Sequence, residues 1–274
     1  MHQEFRSRDG MTIAYYDDCF APPWVTPETV LLLHPAMGNS VRWFSWMPAL
    51  VGNYRVIRMD LRGHGQSQMP LESQPFELNQ LVGDAAELID LLGLESVHVV
   101  GNSAGGYVAQ QLAIQHPAKV KTLALYGATP GLKHSHAPTW IPKIQQVGLK
   151  QFLAQTIHER FDENADPDLV QWFIAQAGSN DPAFIARFVL HMCTHDFMEE
   201  LSRITCPTMI VAAGRESIGH ADAYSDMHRR IAGSSLVHID TAAHNICDGY
   251  PLVCVQHLLD FLSGNTSAKP SGKA

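Results

Sequence analysis

The sequence predicts an α/β fold in which helices cover both faces of a mostly parallel central sheet. Short apolar runs alternate with segments of helical periodicity along most of the 274 residues, the order that β-α-β units produce. Several runs are apolar throughout, as expected of strands that are buried on both faces. Hydrophobic residues at 46% and charged residues at 17% are typical of a globular chain, which excludes a disordered or fibrous one.

The apolar runs are the predicted strands, and the amphipathic segments between them are the predicted helices. The strands cover 29–33, 54–59, 97–100, 122–125, 208–212 and 235–239. A first helix over 78–92 has apolar residues at helical spacing and acidic residues on its other face. A second helix follows Ser103 and ends before Pro117, and a last one covers about 252–262.

The segment 130–202 interrupts this alternation, because it contains no good strand. It has helical patches at 149–160, 169–177 and 184–195, which predicts a helical cap over one end of the sheet. Residues 1–129 and 203–264 are then the α/β core. Residues 265–274 are small and polar with proline and glycine, a composition that predicts a disordered tail.

Charge and cysteine content narrow the classes of partner. Lys and Arg number 19 against 27 Asp and Glu, a net charge of -8, which argues against a nucleic-acid groove or an anionic membrane surface. The five cysteines form no C-x-x-C pair, which favours reduced thiols. With no apolar h-region at the start and no run of the ~20 residues that a membrane span needs, we expect a soluble, cytoplasmic protein. The expected assembly is a monomer or a homodimer.

The strongest chemical signal is a G-x-S-x-G motif, Gly101-Asn102-Ser103-Ala104-Gly105. It follows a predicted strand and opens a predicted helix, the context in which this motif presents a nucleophilic serine. The sharp turn needs glycine where strand and helix approach closely. The serine Oγ then lies at a helix N-terminus, which favours developing negative charge. An incidental serine in a glycine-rich turn is the alternative, and the flanking elements favour the nucleophile.

His244 is the predicted base for this serine. The chain has 15 histidines, but His244 lies directly after a late strand and before the last helix, where a loop can reach Ser103 across the sheet edge. His191 and His195 have a spacing that could bind zinc. No glutamate is adjacent to His191, and polar pairs are common on cap helices, so we predict no metal site.

These pieces occur in an order that resembles the α/β-hydrolase fold superfamily over nearly the whole chain, in the branch of small bacterial esterases, enol-lactonases and meta-cleavage C–C hydrolases. They are the histidine loop 33–38, the D-x-R-G-H-G-x-S segment 60–67, the elbow 101–105, the helical cap, the strand segment 206–211 and the pair Ala243-His244. The D-x-R-G-H-G-x-S segment is specific to this superfamily, and we interpret it as a glycine-dependent turn near the site.

The resemblance implies an oxyanion hole of two backbone N–H groups. One is that of Ala104, which follows the nucleophile, and the other comes from the loop after the early strand. Pro35 has no N–H group, which leaves Ala36 or Met37 as the second donor, and Ala36 is the matching position. Such donors supply a few kcal/mol of transition-state stabilisation each.

The acid of the implied triad is where the sequence departs from the family pattern. The position that holds aspartate in relatives is Ser217 here. Glu216 lies one residue earlier and could reach with its longer side chain, and Asp222 lies further along. A Ser–His dyad or a carboxylate from a distant part of the chain is also open. We predict Glu216.

The resemblance further implies a serine hydrolase that needs no cofactor and cleaves an ester, a lactone or an activated C–C bond. His34 and cap aromatic residues are expected beside a small apolar or aromatic substrate. The candidates are Trp140, Phe152, Phe161, Trp172, Phe173 and Phe188, with Trp140, Trp172 and Phe188 preferred. A cofactor-independent dioxygenase of the same fold and a non-catalytic ligand-binding receptor are the alternatives.

Overall fold

The computed structural model describes residues 2–265, which are built around one eight-stranded sheet. Its strands are β1 (Gln3–Arg6), β2 (Thr12–Asp18), β3 (Thr29–Leu33), β4 (Arg55–Met59), β5 (Val97–Asn102), β6 (Val120–Tyr126), β7 (Thr208–Ala213) and β8 (Ser235–Ile239). Their order across the sheet is β1-β2-β4-β3-β5-β6-β7-β8. β2 pairs antiparallel with β1 and β4, and all other neighbours are parallel, which confirms the predicted fold class.

The helices alternate with the strands as predicted. They are α1 (Met47–Leu50), α2 (Leu78–Leu91), α3 (Ala104–Gln115), α4 (Trp140–Val147), α5 (Leu149–Gln155), α6 (Pro167–Ala177), α7 (Pro182–Met192), α8 (Ala223–Arg230), α9 (Ile246–Gly249) and α10 (Pro251–Asn265). The predicted tail therefore begins inside α10 at Asn265, and the rest of it lies outside the described residues. Among the helices of the described chain, none is both long and apolar enough to span a bilayer.

Both faces of the sheet are covered, as continuously apolar strands require. Along β3, Leu31 and Leu33 belong to one buried cluster, while Val30 and Leu32 belong to another. Alternate residues of a strand face opposite sides, so the two clusters are the two layers of the core. The first cluster contains side chains of α2 to α8, and the second contains side chains of α1, α9 and α10.

Between β6 and β7 the chain forms helices and no strand over 130–202, a segment described throughout. The helices α5, α6 and α7 correspond to the three predicted helical patches, and α4 was not predicted. Most buried side chains of this segment belong to the same cluster as α2 and α3. Its assignment as a separate cap stays a prediction.

The carboxyl ends of the parallel strands bring the chemically interesting loops to one edge of the sheet. The loop after β3 contains Ala36, β5 leads into Ser103, the loop after β7 contains Glu216, and the loop after β8 contains His244. This edge is where open α/β sheets place their ligand sites.

Candidate active site

Ser103 lies at a strained turn between β5 and α3. Its backbone has φ 49° and ψ -115°, and Met37 and Ser103 are the two non-glycine residues of the described chain with positive φ. Such a conformation costs about 1–3 kcal/mol and persists only where surrounding structure fixes it. Here the Ser103 N–H and the Asn102 side-chain amide both donate to the Tyr126 carbonyl, at 2.9 and 2.8 Å.

The glycines on either side of the serine are required by close packing. A Cβ on Gly101 would lie 2.6 Å from the Gly105 carbonyl oxygen, and a Cβ on Gly105 would overlap the Leu33 carbonyl. The turn therefore lets β5, α3 and the end of β3 approach more closely than any side chain permits.

A continuous hydrogen-bonded chain joins Ser103, His244 and Glu216. His244 Nε2 lies 2.9 Å from Ser103 Oγ, and His244 Nδ1 lies 2.9 Å from each carboxylate oxygen of Glu216. With Nδ1 donating to the carboxylate, Nε2 is left as the acceptor for the serine proton. Asp222 is exposed just before α8 and has no hydrogen bond to His244 among the described contacts.

The Glu216 carboxylate is fully buried and held by further donors. Its side chain is 0% exposed, and it accepts hydrogen bonds from the N–H groups of Ile218 and Gly219 and from the Tyr224 hydroxyl, at 2.9, 3.0 and 2.7 Å. Burial alone would raise the pKa of Glu216, but the adjacent His244 and these donors lower it to about 2. Glu216 is therefore an anion at neutral pH, able to stabilise a protonated His244.

Two backbone N–H groups belong to residues that line the cavity beside Ser103 and have no acceptor among the described residues. Ala36 and Ala104 line the cavity that contains Ser103. Ala104 is the first residue of α3, so its N–H has no partner within the helix, and the Ala36 N–H has no acceptor among the described residues. The Met37 N–H instead donates to His64 Nε2 at 3.3 Å, which leaves Ala36 as the available donor of the two expected.

Side chains from α6 and the turn after it fix the loop that carries Ala36. The Met37 carbonyl accepts hydrogen bonds from the Gln176 and Asn180 side-chain amides, at 3.2 and 2.9 Å. Met37 itself has φ 60°, a conformation that a methionine adopts only under constraint. The segment 130–202 thus contacts the proposed oxyanion loop directly.

His34, a predicted substrate-binding residue, is not among the residues that line the cavity. It is fully buried, its Nδ1 donates to the Pro35 carbonyl at 2.8 Å, and its Nε2 accepts the Leu61 N–H at 2.9 Å. Both ring nitrogens are therefore occupied within the protein. Burial lowers the pKa of His34 to about 4, and burial next to His34 lowers the pKa of His64 to about 3, so both imidazoles stay neutral supports of the loops around the site.

The predicted aromatic residues divide between the cavity and the packing around it. Trp140, Phe173 and Phe188 line the cavity. Trp172 does not, and its ring instead packs edge-on against Phe44, with the ring centroids 5.3 Å apart. Successive residues on a helix point about 100° apart, so Trp172 and Phe173 of α6 face different surroundings.

The structure adds two buried arginines to the cavity that the sequence did not indicate. Arg42 and Arg160 are 3% and 4% exposed and both line it. Arg42 donates Nε to Asp248 Oδ1 at 2.8 Å and Nη2 to Oδ2. Burial lowers the pKa of Arg160 to about 10, which leaves it charged at neutral pH. No motif marks either residue, because arginine is usually exposed and the enclosure depends on tertiary packing.

His191 and His195 pair with each other, their Nε2 atoms 3.0 Å apart, and His191 Nε2 also accepts the Leu78 N–H. Within residues 2–265 no group of three or more metal-ligating side chains is present.

A family model described as the alpha/beta hydrolase fold matches residues 28–177. The pimeloyl-[acyl-carrier protein] methyl ester esterase of Aeromonas hydrophila is 30% identical over 233 residues, which cover 80% of this chain and 88% of that relative. The crystal structure of a hydrolase from Pseudomonas aeruginosa PA01 superposes with a TM-score of 0.85 at 27% identity, covering 95% of this chain and 98% of the other.

Other curated relatives match over a smaller part of their length. The dihydrolipoyllysine-residue acetyltransferase component of the acetoin cleaving system from Cupriavidus necator is 38% identical over 122 residues, which cover 44% of this chain and 31% of that relative. The chain thus spans less than two fifths of the length of this relative. The same holds for the putative 2-succinyl-6-hydroxy-2,4-cyclohexadiene-1-carboxylate synthase of Bacillus subtilis, of which it covers 38%.

Proposed function

The chain belongs to the α/β hydrolase fold family, and on that premise we propose that it is a serine hydrolase. It cleaves an ester, a lactone or an activated C–C bond of a small substrate through an acyl-enzyme. The similarity to proteins named as an esterase and as a hydrolase supports hydrolysis as the reaction class.

One observation carries the proposal, namely the hydrogen-bonded chain from Ser103 through His244 to Glu216 beside two backbone N–H groups that have no acceptor among the described residues. A serine alone is a weak nucleophile, and this arrangement supplies both the base that activates it and the carboxylate that orients the base. The amides of Ala36 and Ala104 supply the donors for an oxyanion.

The reaction follows from these positions. Ser103 Oγ attacks the substrate carbonyl while His244 Nε2 takes its proton, and the resulting oxyanion accepts hydrogen bonds from the Ala36 and Ala104 N–H groups. Collapse of this intermediate breaks the bond to the leaving group, which takes the proton from His244. A water molecule then attacks the acyl-enzyme while His244 takes its proton. His244 returns this proton to Ser103 Oγ as the bond between Oγ and the acyl carbon breaks, which releases the acid and free Ser103.

We propose that the segment 130–202 acts as a cap that sets substrate choice. It contributes Trp140, Phe173 and Phe188 to the cavity beside Ser103, and an apolar lining of this kind fits an apolar or aromatic group of a small substrate.

Labelling with a fluorophosphonate probe tests the nucleophile. We expect one covalent label on the wild-type protein and none on Ser103→Ala, because only an activated serine reacts with such a probe. Ser202→Ala removes an exposed serine outside the cavity and is the matched control, expected to label like wild type.

Three outcomes would refute the acyl-enzyme. Label that persists in Ser103→Ala would assign the reactivity to another residue. A wild-type protein that consumes oxygen with a hydroxylated heteroaromatic but never takes the label would be a dioxygenase, and one that neither labels nor turns over any activated ester would be a receptor.

A further inference from the structure

Arg160 lines the cavity that contains Ser103, and one hydrogen-bonding edge of its guanidinium has no acceptor among the described residues. All its described side-chain hydrogen bonds use Nη1, which donates to the Thr156 carbonyl at 3.0 Å, to Thr156 Oγ1 at 2.9 Å and to Glu159 Oε2 at 3.5 Å. Nε and Nη2 have no acceptor among the described residues. The N–H groups of these two nitrogens form the fork that binds a carboxylate with two parallel hydrogen bonds.

Arg42 uses the same edge of its guanidinium to bind a carboxylate within the protein. It lines the same cavity, and its Nε and Nη2 hold the two oxygens of Asp248. Arg42 is thereby neutralised inside the protein. The corresponding atoms of Arg160, which belongs to the same cavity lining, have no carboxylate partner among the described residues, so a ligand could supply one.

Arg160 is the cavity arginine with the weaker counter-ion inside the protein. Asp248 balances the charge of Arg42, whereas Arg160 has no bidentate carboxylate partner among the described residues. Glu159, the one acidic neighbour of Arg160 among the described ion pairs, contacts only Nη1 and also lies 3.9 Å from His136 Nε2. A buried cation that is paired this weakly favours an anionic ligand beside it.

Two further residues of this cavity lining have a buried donor that lacks an acceptor among the described residues. Trp140 Nε1 and Asn245 Nδ2 have no acceptor among the described residues, and both side chains are more than nine-tenths buried. The Arg160 guanidinium also lies over the Trp140 ring, 5.4 Å from its centroid. Buried donors are ordinarily hydrogen-bonded. Arg160, Trp140 and Asn245 each have a donor without an acceptor among the described residues, so a ligand that supplies acceptor atoms would satisfy them.

We propose that Arg160, together with Trp140 Nε1 and Asn245 Nδ2, binds a carboxylate of the substrate, so that the enzyme hydrolyses compounds bearing a carboxylate in addition to the bond that is cleaved. The inference rests on the proposed function and specifies its substrate class. A carboxylate fits better than a phosphate dianion, because one cation here is left weakly paired and the nearby lining of Leu132, Phe188 and Ile218 is apolar.

Pairs of esters that differ only in charge test the proposal on the wild-type protein. The mono-4-nitrophenyl ester of adipic acid is compared with the 4-nitrophenyl ester of adipamic acid, which places the charge on the acyl side. On the alcohol side, 4-carboxyphenyl acetate is compared with 4-carbamoylphenyl acetate. We expect kcat/KM to favour the anionic member about 10- to 100-fold in at least one pair, the range of a charged hydrogen bond. Equal or faster hydrolysis of the neutral member in both pairs would overturn the proposal.

Variants of Arg160 assign the effect. Arg160→Met should reduce the anionic-to-neutral ratio of kcat/KM to about one, and Arg160→Lys, which keeps the charge but not the fork, should give an intermediate ratio. Because this ratio compares two substrates on the same variant, a loss of kcat/KM that affects both substrates equally does not change it. Arg203→Met removes an arginine whose side chain is 60% exposed and should keep the wild-type ratio. An unchanged ratio in a folded Arg160→Met protein would overturn the assignment.

Binding of adipate provides a readout that does not depend on turnover. Calorimetry on Ser103→Ala should detect adipate, and adding Arg160→Met should weaken this binding at least about tenfold. If Arg160→Met does not fold, Arg160→Lys and the wild-type ester pairs still decide. Failure of the proposed function looks different, because no ester of either charge would then be cleaved and no probe would label Ser103.

Discussion

Replacing Glu216 by glutamine probes the carboxylate by changing one oxygen to an NH₂ group. Oε1 accepts two backbone N–H groups, those of Ile218 and Gly219, while Oε2 accepts the Tyr224 hydroxyl. The glutamine therefore keeps its oxygen at the Oε1 position and places its NH₂ at the Oε2 position. Both positions lie 2.9 Å from His244 Nδ1, so the amide competes as a donor towards a nitrogen that must itself donate.

The expected loss follows from the tautomer and the charge. A donor facing Nδ1 favours the imidazole that carries its proton on Nε2, and this form cannot accept the proton of Ser103. The variant also lacks the anion that stabilises protonated His244, and the comparable change in other triads lowers kcat by up to ~10⁴. We expect kcat to fall between ~10² and ~10⁴, because Glu216 is fully buried and no water can replace it. The lower limit corresponds to about 2.7 kcal/mol.

The measurement is kcat for 4-nitrophenyl acetate in wild type, Glu216→Gln and Asp222→Asn, with each unfolding midpoint recorded. Asp222 is exposed and makes no described contact with His244, so Asp222→Asn should retain kcat within about threefold. A folded Glu216→Gln protein that keeps kcat within tenfold would refute the reasoning and favour a Ser–His dyad. A large loss in Asp222→Asn alone would make Asp222 the acid.

Two further predictions concern stability and selectivity. The free energy of unfolding should fall as the pH drops from about 6.5 towards 4, because His34 and His64, with folded pKa values of about 4 and 3, bind protons only when unfolded. His64→Asn should reduce this slope in urea titrations by up to about 1.4 kcal/mol per pH unit, and an unchanged slope would contradict it. Phe188→Ala should change the ratio of kcat/KM for bulky esters to that for small esters by about tenfold. Trp172→Ala removes a ring outside the cavity lining and should leave this ratio unchanged. Equal changes of the ratio in both variants would contradict the assignment of Phe188 to the cavity lining.

The sheet was predictable wherever strands are buried on both faces. The fully buried strand 29–33 was predicted with the observed bounds, as was the partly exposed edge strand 235–239, whose apolar residues mark it. The helix α2 was predicted from the helical spacing of its apolar residues, and α3 from the motif at Ser103 and from Pro117. β1 and β2 were missed. They form the antiparallel edge of the sheet, where three of the four residues of β1 are exposed, so no continuous apolar run marks them.

The site divides in the same way between local and tertiary information. Ser103 and His244 were identified because their neighbours along the chain restrict where each can lie. Glu216 was chosen because it is one residue from the usual position, and the structure brings its carboxylate to His244. The packing of segment 130–202 against the sheet decides the surroundings of Trp172 and Arg160. No short-range sequence pattern encodes that packing. The sequence therefore does not show that Trp172 lies outside the cavity lining or that Arg160 belongs to it.

The proposed carboxylate site and the proposed base are also linked through the backbone. The N–H of Asn245, the residue after His244, donates to the Arg160 carbonyl at 3.0 Å, while both side chains face the cavity. The segment that supplies Arg160 therefore also fixes the loop that supplies His244. Because the Gln176 and Asn180 side chains of the same segment hold the Met37 carbonyl, displacement of this segment would disturb the base and the oxyanion loop together. Substrate selection and catalytic geometry thus depend on one structural element, and a variant that loosens it should lose kcat as well as specificity.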